Sequence, residues 1–174
     1  MSENIDFRVD YNKFKVMDEF NTDELKYPLI LSIPHCGTVF PEEFLRAVRH
    51  DVMTLRKNED ILVYDLLEPA IRDGGIAAIK LNVSRSFIDV NRAKVELDPN
   101  MFFDYPREDI GLNQQRSRYG LGIIHKVTAD SRPIYAGRIS YKEAEERIKN
   151  VYDVYHGRLK ELIARTICLL YTSP

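Results

Sequence analysis

The chain has 174 residues, 44% hydrophobic and 30% charged, with 25 basic against 27 acidic side chains and a formal net charge of -2. These numbers fit one packed domain, exclude global disorder, and leave no basic excess for a nucleic-acid footprint. No run of about 18 apolar residues exists to cross a membrane, the polar start Met1-Ser2-Glu3-Asn4 does not read as a signal peptide, and Cys36 and Cys168 are too few for a disulfide framework and lack CxxC spacing, so a reducing cytoplasm is expected.

The first 27 residues alternate charges with isolated apolar residues and read as a lead-in, with a short strand around residues 7–9. Pro28-Leu29-Ile30-Leu31-Ser32-Ile33 is a continuous apolar run of strand length, which suits a buried strand of a parallel sheet. It ends in Pro34-His35-Cys36-Gly37-Thr38, a loop by composition. Pro41-Glu42-Glu43 then opens a short helix, with proline and acids where a helix N-terminus favours them.

Asn58 is the expected N-cap of the next helix, with Glu59 and Asp60 in its first turn. Leu62, Leu66 and Ala70, beside Val63, Leu67 and Ile71, give that helix a wide apolar face. Pro69 is expected to kink or split it, and Gly74-Gly75 to end it. Residues 76–83 form the next strand, so strand, helix and strand make a right-handed βαβ unit. Residues 93–120 lack periodicity, and a loop that long is usually functional or mobile. Ser140-Tyr141-Lys142-Glu143 has the form of a capping box. The helix after it repeats Ala144, Ile148, Val151, Tyr155, Leu159 and Leu162 at threes and fours and runs to about Ile167.

In open α/β sheets, ligands bind beyond the carboxyl ends of the strands. His35 follows the first strand of the unit, Ser84-Arg85 and Asp89-Val90-Asn91-Arg92 follow the second, and Asp60 opens the intervening helix. Spacing alone leaves other readings open. Asp60 in a first turn can simply complement the helix dipole, and Arg92 can be an ordinary surface ion pair. Asp89 is expected to orient Arg85 or Arg92. His156 is expected to be a satisfied structural histidine and His50 a surface residue.

Several segments, in order, resemble N-formylglutamate amidohydrolases. Pro34-His35-Cys36-Gly37-Thr38 is similar to that family's Pro-His-Ser/Ala-Gly-Thr opening. Asn82-Val83-Ser84-Arg85-Ser86-Phe87-Ile88-Asp89-Val90-Asn91-Arg92 resembles its Ser-Arg-x-x-Ile-Asp-Leu-Asn-Arg stretch. Gly120-Leu121-Gly122-Ile123-Ile124, Pro133-Ile134-Tyr135 and Tyr155-His156-Gly157-Arg158-Leu159 look like the segments that come next.

The resemblance implies an α/β fold of zinc carboxypeptidase type, three-layered, with a mostly parallel sheet, helices on both faces and an incomplete edge. It implies a zinc cofactor held by His35 and by Asp60 or Glu59, two residues that the sequence does not separate. Asn91 and Arg92 are implied to hold a substrate carboxylate, for which a guanidinium fork is better shaped than an ammonium. Arg85 is implied to make a second anion contact or to polarise the carbonyl. Cys36 stands where the family has a small Ser or Ala, and His125 where it usually has proline; no role is assigned to His125.

The family's later segment, with a further His ligand and a catalytic carboxylate, has no counterpart after Ile167. The expectation is therefore a truncated single domain over residues 1–167. Residues 168–174 are expected to be a non-native tail resembling translated adapter sequence. The catalytic group is expected in the missing part, and the chain as given is expected to bind zinc weakly and be inactive. The implied reaction is zinc-dependent hydrolysis of N-formyl-L-glutamate to formate and glutamate. The partner is a small-molecule carboxylate, not nucleic acid or membrane. The alternatives are a related N-acyl amino acid or peptide metallohydrolase and a metal-free module that binds small carboxylates.

Overall fold

The computed structural model describes residues 4–106 and 119–172. Three strands form its main sheet: β2 (Met17–Phe20), β3 (Ile30–Ile33) and β4 (Ala77–Leu81), in the order β2-β4-β3. β3 and β4 run parallel, with Ile30 opposite Ala77 and Ile33 opposite Lys80. Helix α3 (Val63–Arg72) lies between them in the chain, so the expected βαβ unit is present. β2 runs antiparallel on the other side of β4. A separate parallel pair joins β1 (Asn4–Ile5) to β5 (Arg138–Ile139).

The middle position of β4 explains its composition. A strand with neighbours on both sides and cover on both faces does not alternate, and Ala77, Ala78, Ile79 and Leu81 are all buried. On one face, Ala78 and Ile33 pack with Ile71 of α3, joined by Phe20, Leu31, Tyr64 and Leu67. On the other, Ile79 and Leu81 belong to the larger core with Phe44, Leu55, Phe87, Ile123, Tyr155 and Leu162. Phe44 comes from α1 (Glu42–Ala47) and Leu55 from α2 (Val52–Leu55). Tyr155 and Leu162 come from the last helix, α5 (Asp153–Thr172).

The sheet is mixed, which corrects the expectation of a mostly parallel one. The extra strand, Met17–Phe20, was hidden in the lead-in because Asp18 and Glu19 interrupt its apolar pattern. Their carboxylates are held at the sheet by Lys80 and Arg158. The strand expected around residues 7–9 is absent; Phe7 and Val9 pack on the main core without strand pairing.

Asn58 does not cap α3. It closes a 3-10 turn over Arg56–Asn58, and its side chain is buried and engaged elsewhere. The helix begins at Val63 and remains one span past Pro69. Pro69 lies at an exposed position, where water can serve the carbonyl left without its usual N–H partner. The expected wide apolar face is narrower: Ile71 is buried, but Leu62 is 65% and Leu66 77% exposed.

Ser140 precedes α4 (Tyr141–Arg147) but makes no side-chain cap. Its hydroxyl donates to Asp104, which also accepts from the Tyr141 N–H. Glu143, the other half of the expected box, turns to Arg147. A π-turn over Ile148–Tyr152 links α4 to α5. α5 continues through Thr172, past the expected boundary at Ile167. Of the long loop expected over residues 93–120, the described part holds a 3-10 turn at Pro99–Met101; residues 107–118 lie outside the described residues.

Candidate functional site

His35 lies two residues beyond the end of β3, where the sequence places it, and is 7% exposed. Two contacts fix this loop. The Asp60 N–H donates to the His35 carbonyl at 3.0 Å, tying the loop to the segment before α3. Gly37 lets the loop approach the end of β4: a Cβ there would meet the Val83 carbonyl oxygen at 2.2 Å. Any side chain at position 37 would push His35 out of place.

The imidazole is held at both nitrogens. Nε2 lies 2.8 Å from Asp89 Oδ1 and Nδ1 3.2 Å from Asp60 Oδ2. Asp89 is fully buried and Asp60 is half-exposed. The buried carboxylate favours the hydrogen on Nε2, which leaves the Nδ1 lone pair directed towards Asp60. A carboxylate behind a histidine is the usual way that a metal-binding imidazole is oriented.

Asp89 is the hub of the site. Residues 84–92 fold as tight turns: Phe87 and Ile88 N–H groups donate to the Ser84 carbonyl, and the Arg92 N–H to that of Asp89. This winding brings Arg85, Asp89 and Arg92 to one side. Oδ1 accepts from His35 and, at 2.9 Å, from the Asn91 N–H. Oδ2 accepts from Arg85 Nε at 2.9 Å, with Arg92 Nε at 3.6 Å and His125 Nε2 at 3.3 Å. Burial opposes ionisation of Asp89, but the contacts from His125 and His35 and the Arg85 charge outweigh it. They hold the carboxyl well below the usual range.

Both arginines are tethered through Nε. Arg92 Nε also donates to the Leu121 carbonyl at 3.1 Å. Among the described residues, neither guanidinium engages its terminal nitrogens. Both line a cavity of about 320 Å³ whose wall also includes Lys57, Glu59, Asp60 and His125. Such a cavity can take an anion, with two positioned forks on its wall.

The geometry distinguishes residues that the sequence could not. Asp60 meets His35; Glu59 does not. Glu59 accepts from Arg56 Nε at 2.9 Å and Ser84 Oγ at 3.2 Å, so both its oxygens are engaged. Burial raises its pKa despite the Arg56 and Ser84 partners. Asn91 is exposed, contributes only its backbone N–H to Asp89, and does not line the cavity. Arg85 takes the place beside Arg92 that the sequence offered to Asn91. Cys36 donates its thiol to the Asp60 carbonyl at 3.1 Å. Burial raises its pKa, so it remains a thiol.

Sequence reasoning gave His125 no role, yet it is 2% exposed and lines the cavity. The available signal was its position directly after the buried pair Ile123-Ile124. His156 donates from Nε2 to the Val90 carbonyl at 2.7 Å and packs on Tyr152, a structural use. His50 is near the Pro133 carbonyl at 3.0 Å, away from the site.

Zinc coordination provides a test of the donor set. Two ligand atoms about 2.1 Å from a tetrahedral zinc stand about 3.4 Å apart, near the 3.2 Å between His35 Nδ1 and Asp60 Oδ2. This pair fits zinc as two ligands. Among the described residues no third His, Cys, Asp or Glu completes a group that could hold a metal.

A family model described as N-formylglutamate amidohydrolase matches residues 27–169. The chain is similar to the crystal structure of N-formylglutamate amidohydrolase from Ralstonia eutropha JMP134, with a TM-score of 0.77 and 25% identity over 88% of this chain and 53% of that one. It also shares the fold of the gene product Atu2144 from Agrobacterium tumefaciens, with a TM-score of 0.63 and 16% identity over 92% of this chain and 54% of that one. The chain therefore spans about half the length of either structure. No curated protein matches it.

Proposed function

We propose that this chain, which belongs to the N-formylglutamate amidohydrolase family, carries the substrate-anchoring half of a zinc-dependent amidohydrolase site. The reaction is hydrolysis of the formyl amide of N-formyl-L-glutamate, or of a similar N-acyl amino acid, to formate and the free amino acid. The observation that carries this reading is the pairing of two guanidinium groups, fixed by one buried carboxylate, on a cavity that also presents Asp60 beside His35.

Each part has a chemical task. Arg85 and Arg92 bind the substrate carboxylate and set the direction in which its formyl amide points. His35 and Asp60 supply two zinc ligands, and Asp89 keeps the His35 ring in register. Zinc, when bound, lowers the pKa of water to about 7 and polarises the amide carbonyl. A catalytic zinc has three protein ligands, so the activity is proposed for a protein spanning the family's full length.

Formate release from N-formyl-L-glutamate, measured with metal content, tests this reading. His35→Ala and Asp60→Ala are each expected to abolish stoichiometric zinc. Tight one-to-one zinc binding that survives both substitutions sinks the ligand assignment. Arg92→Ala is expected to weaken carboxylate substrates more than neutral formamides; equal losses sink the clamp.

A second reading is supported by the donor set, in which the anion clamp is formed but only two metal-capable groups meet. It is a metal-free carboxylate-binding module. Binding of glutarate, unchanged by a chelator, in a family-length protein that releases no formate would favour it.

A further inference from the structure

His156 bonds to the backbone of the turn that carries Asp89. A carbonyl only accepts, so the 2.7 Å contact with the Val90 carbonyl places a hydrogen on His156 Nε2. Val90 is buried, and among the described residues no other donor meets this oxygen. The other end of the same peptide unit is the Asn91 N–H, which donates to Asp89 Oδ1 at 2.9 Å. Asp89 Oδ1 is also the oxygen that holds His35 Nε2 at 2.8 Å. A peptide unit is planar and turns as one body. The donor on its carbonyl therefore governs where its N–H points.

The start of α5 is built to keep His156 there. The π-turn over Ile148–Tyr152 inserts a residue and rotates the helix after it by about 100° relative to an unbroken α-helix. With this phase, Tyr155 reaches Ser32 of β3 while His156 reaches Val90. The Tyr152 ring lies against the imidazole, with centroids 4.2 Å apart. Lys94, two residues past Arg92, pairs with Asp153, and its Nζ lies 5.5 Å from the Tyr152 ring centroid. The segment after Asp89 is thus held to this helix start at two points. Such π-turns are frequent at functional sites.

We propose that His156 is a positioning residue for the site: by holding the Val90–Asn91 peptide, it keeps Asp89 Oδ1 aimed at His35 and Asp89 Oδ2 at Arg85. His156 itself does not line the cavity and acts only through this peptide and Asp89. The proposal rests on the reading of that cavity as a carboxylate site, because Arg85 is part of its anion-binding wall. Without the Nε2 donor, the Val90 carbonyl is left unpaired in a buried place, which is costly. Rotation of the peptide towards another donor takes the Asn91 N–H off Oδ1. The carboxylate is then free to swing away from His35 and Arg85.

The test is 15N-resolved NMR of the histidine rings and the Asn91 amide, with calorimetry of glutarate. In the unsubstituted protein at about pH 8, His156 is expected to be the Nε2–H tautomer. An Nδ1–H ring could not donate to Val90 and overturns the proposal. His156→Phe keeps a ring against Tyr152 but removes the donor. It is expected to shift the Asn91 amide and His35 Nε2 resonances and to weaken glutarate roughly two- to tenfold, the scale of one neutral hydrogen bond. His156→Gln, which can place an amide N–H near the lost Nε2, is expected to restore both resonances and most of the affinity. A role in packing alone gives the reverse order, with Phe tolerated better than Gln. That order, or unmoved Asn91 and His35 resonances in the Phe variant, overturns the proposal. The tautomer measurement needs no substitution, so a folding defect in His156→Phe does not remove the test. If the resonances respond as expected but the unsubstituted protein binds no glutarate, the positioning of Asp89 stands and the carboxylate reading of the cavity fails alone.

Discussion

Two clusters of buried charge meet the turns of residues 84–92, and they are built differently. In one, Arg147 is fully buried and each of its three guanidinium nitrogens meets an oxygen. Nε donates to Glu143 at 2.8 Å, and Nη2 lies 2.6 Å from the other Glu143 oxygen. Nη1 donates to the Phe87 carbonyl and the Tyr135 hydroxyl at 2.7 and 2.8 Å. The rings of Phe7, Phe44, Phe87 and Tyr135 surround the guanidinium. In the other, Asp89 gathers Arg85, Arg92, His35 and His125, but among the described residues each arginine engages only Nε. The first cluster is closed on itself; the second leaves positive charge facing a cavity. Buried charge alone thus does not mark a site. Unengaged donors on a cavity wall do. The Arg147 bond to the Phe87 carbonyl also joins the two, because the closed cluster supports the turn that carries Asp89.

The largest effect is expected from breaking the closed cluster. Arg147→Met leaves Glu143 buried without its cation and is expected to cost about 3–5 kcal/mol of stability, read as a fall in urea midpoint. Adding Glu143→Leu should recover most of that loss, since an apolar pair can replace a buried ion pair. If the single variant is as stable as the original, the cluster does not support the fold. The open cluster should respond differently. Asp89→Asn leaves two arginines and a histidine around a neutral amide, and a loss of about 1–3 kcal/mol is expected. The sharper readout is zinc affinity, expected to fall about 10–100-fold as the His35 ring loses its orienting carboxylate. An unchanged zinc affinity would show that His35 is oriented by something else.

The two clusters were unequally legible in the sequence. The end of β3 at His35 could be read because a run of apolar residues stops at Pro34, and local composition marks that boundary. The turns of residues 84–92 could be read as a place where charged groups gather. Asp89 was expected to serve an arginine and does contact Arg85 and Arg92. Its bond to His35 crosses 54 residues, and no periodicity encodes a contact of that kind. The same limit hid Asn58, which looks like a helix cap from its neighbours but is drawn inward by Ser86 and Ala129. Nothing in the neighbours of Arg147 in the chain marks it for burial. Its burial follows from four aromatic rings supplied by distant segments. Local composition marked β3, β4 and the turns that follow them, whereas long-range pairing decided which polar residues went inside.

Smaller effects probe the edges of the comparison. Arg92→Ala removes a partly exposed side chain from the open cluster while Arg85 still pairs with Asp89. The expected stability loss is about 1 kcal/mol or less, against a much larger loss of glutarate affinity. Comparable losses in both would place Arg92 with the closed cluster.

The smallest effect concerns the face of β3 on which α5 packs, where the Tyr155 hydroxyl lies 2.8 Å from Ser32 Oγ. Burial pushes the Tyr155 pKa up from 10.0 to about 12, against the opposing hydrogen bond to Ser32. The folded protein therefore holds this proton more firmly than the unfolded chain. Its contribution to stability is fully present below about pH 10 and declines as pH rises through the window up to about 12. Tyr155→Phe should cost about 1 kcal/mol at neutral pH through the lost hydrogen bond. It should also make stability fall less steeply across that alkaline window. Urea midpoints at about pH 8 and about pH 11 measure both effects. A variant with the same alkaline slope as the original would show that the Tyr155 hydroxyl reaches water, so that this side of the sheet is open as well.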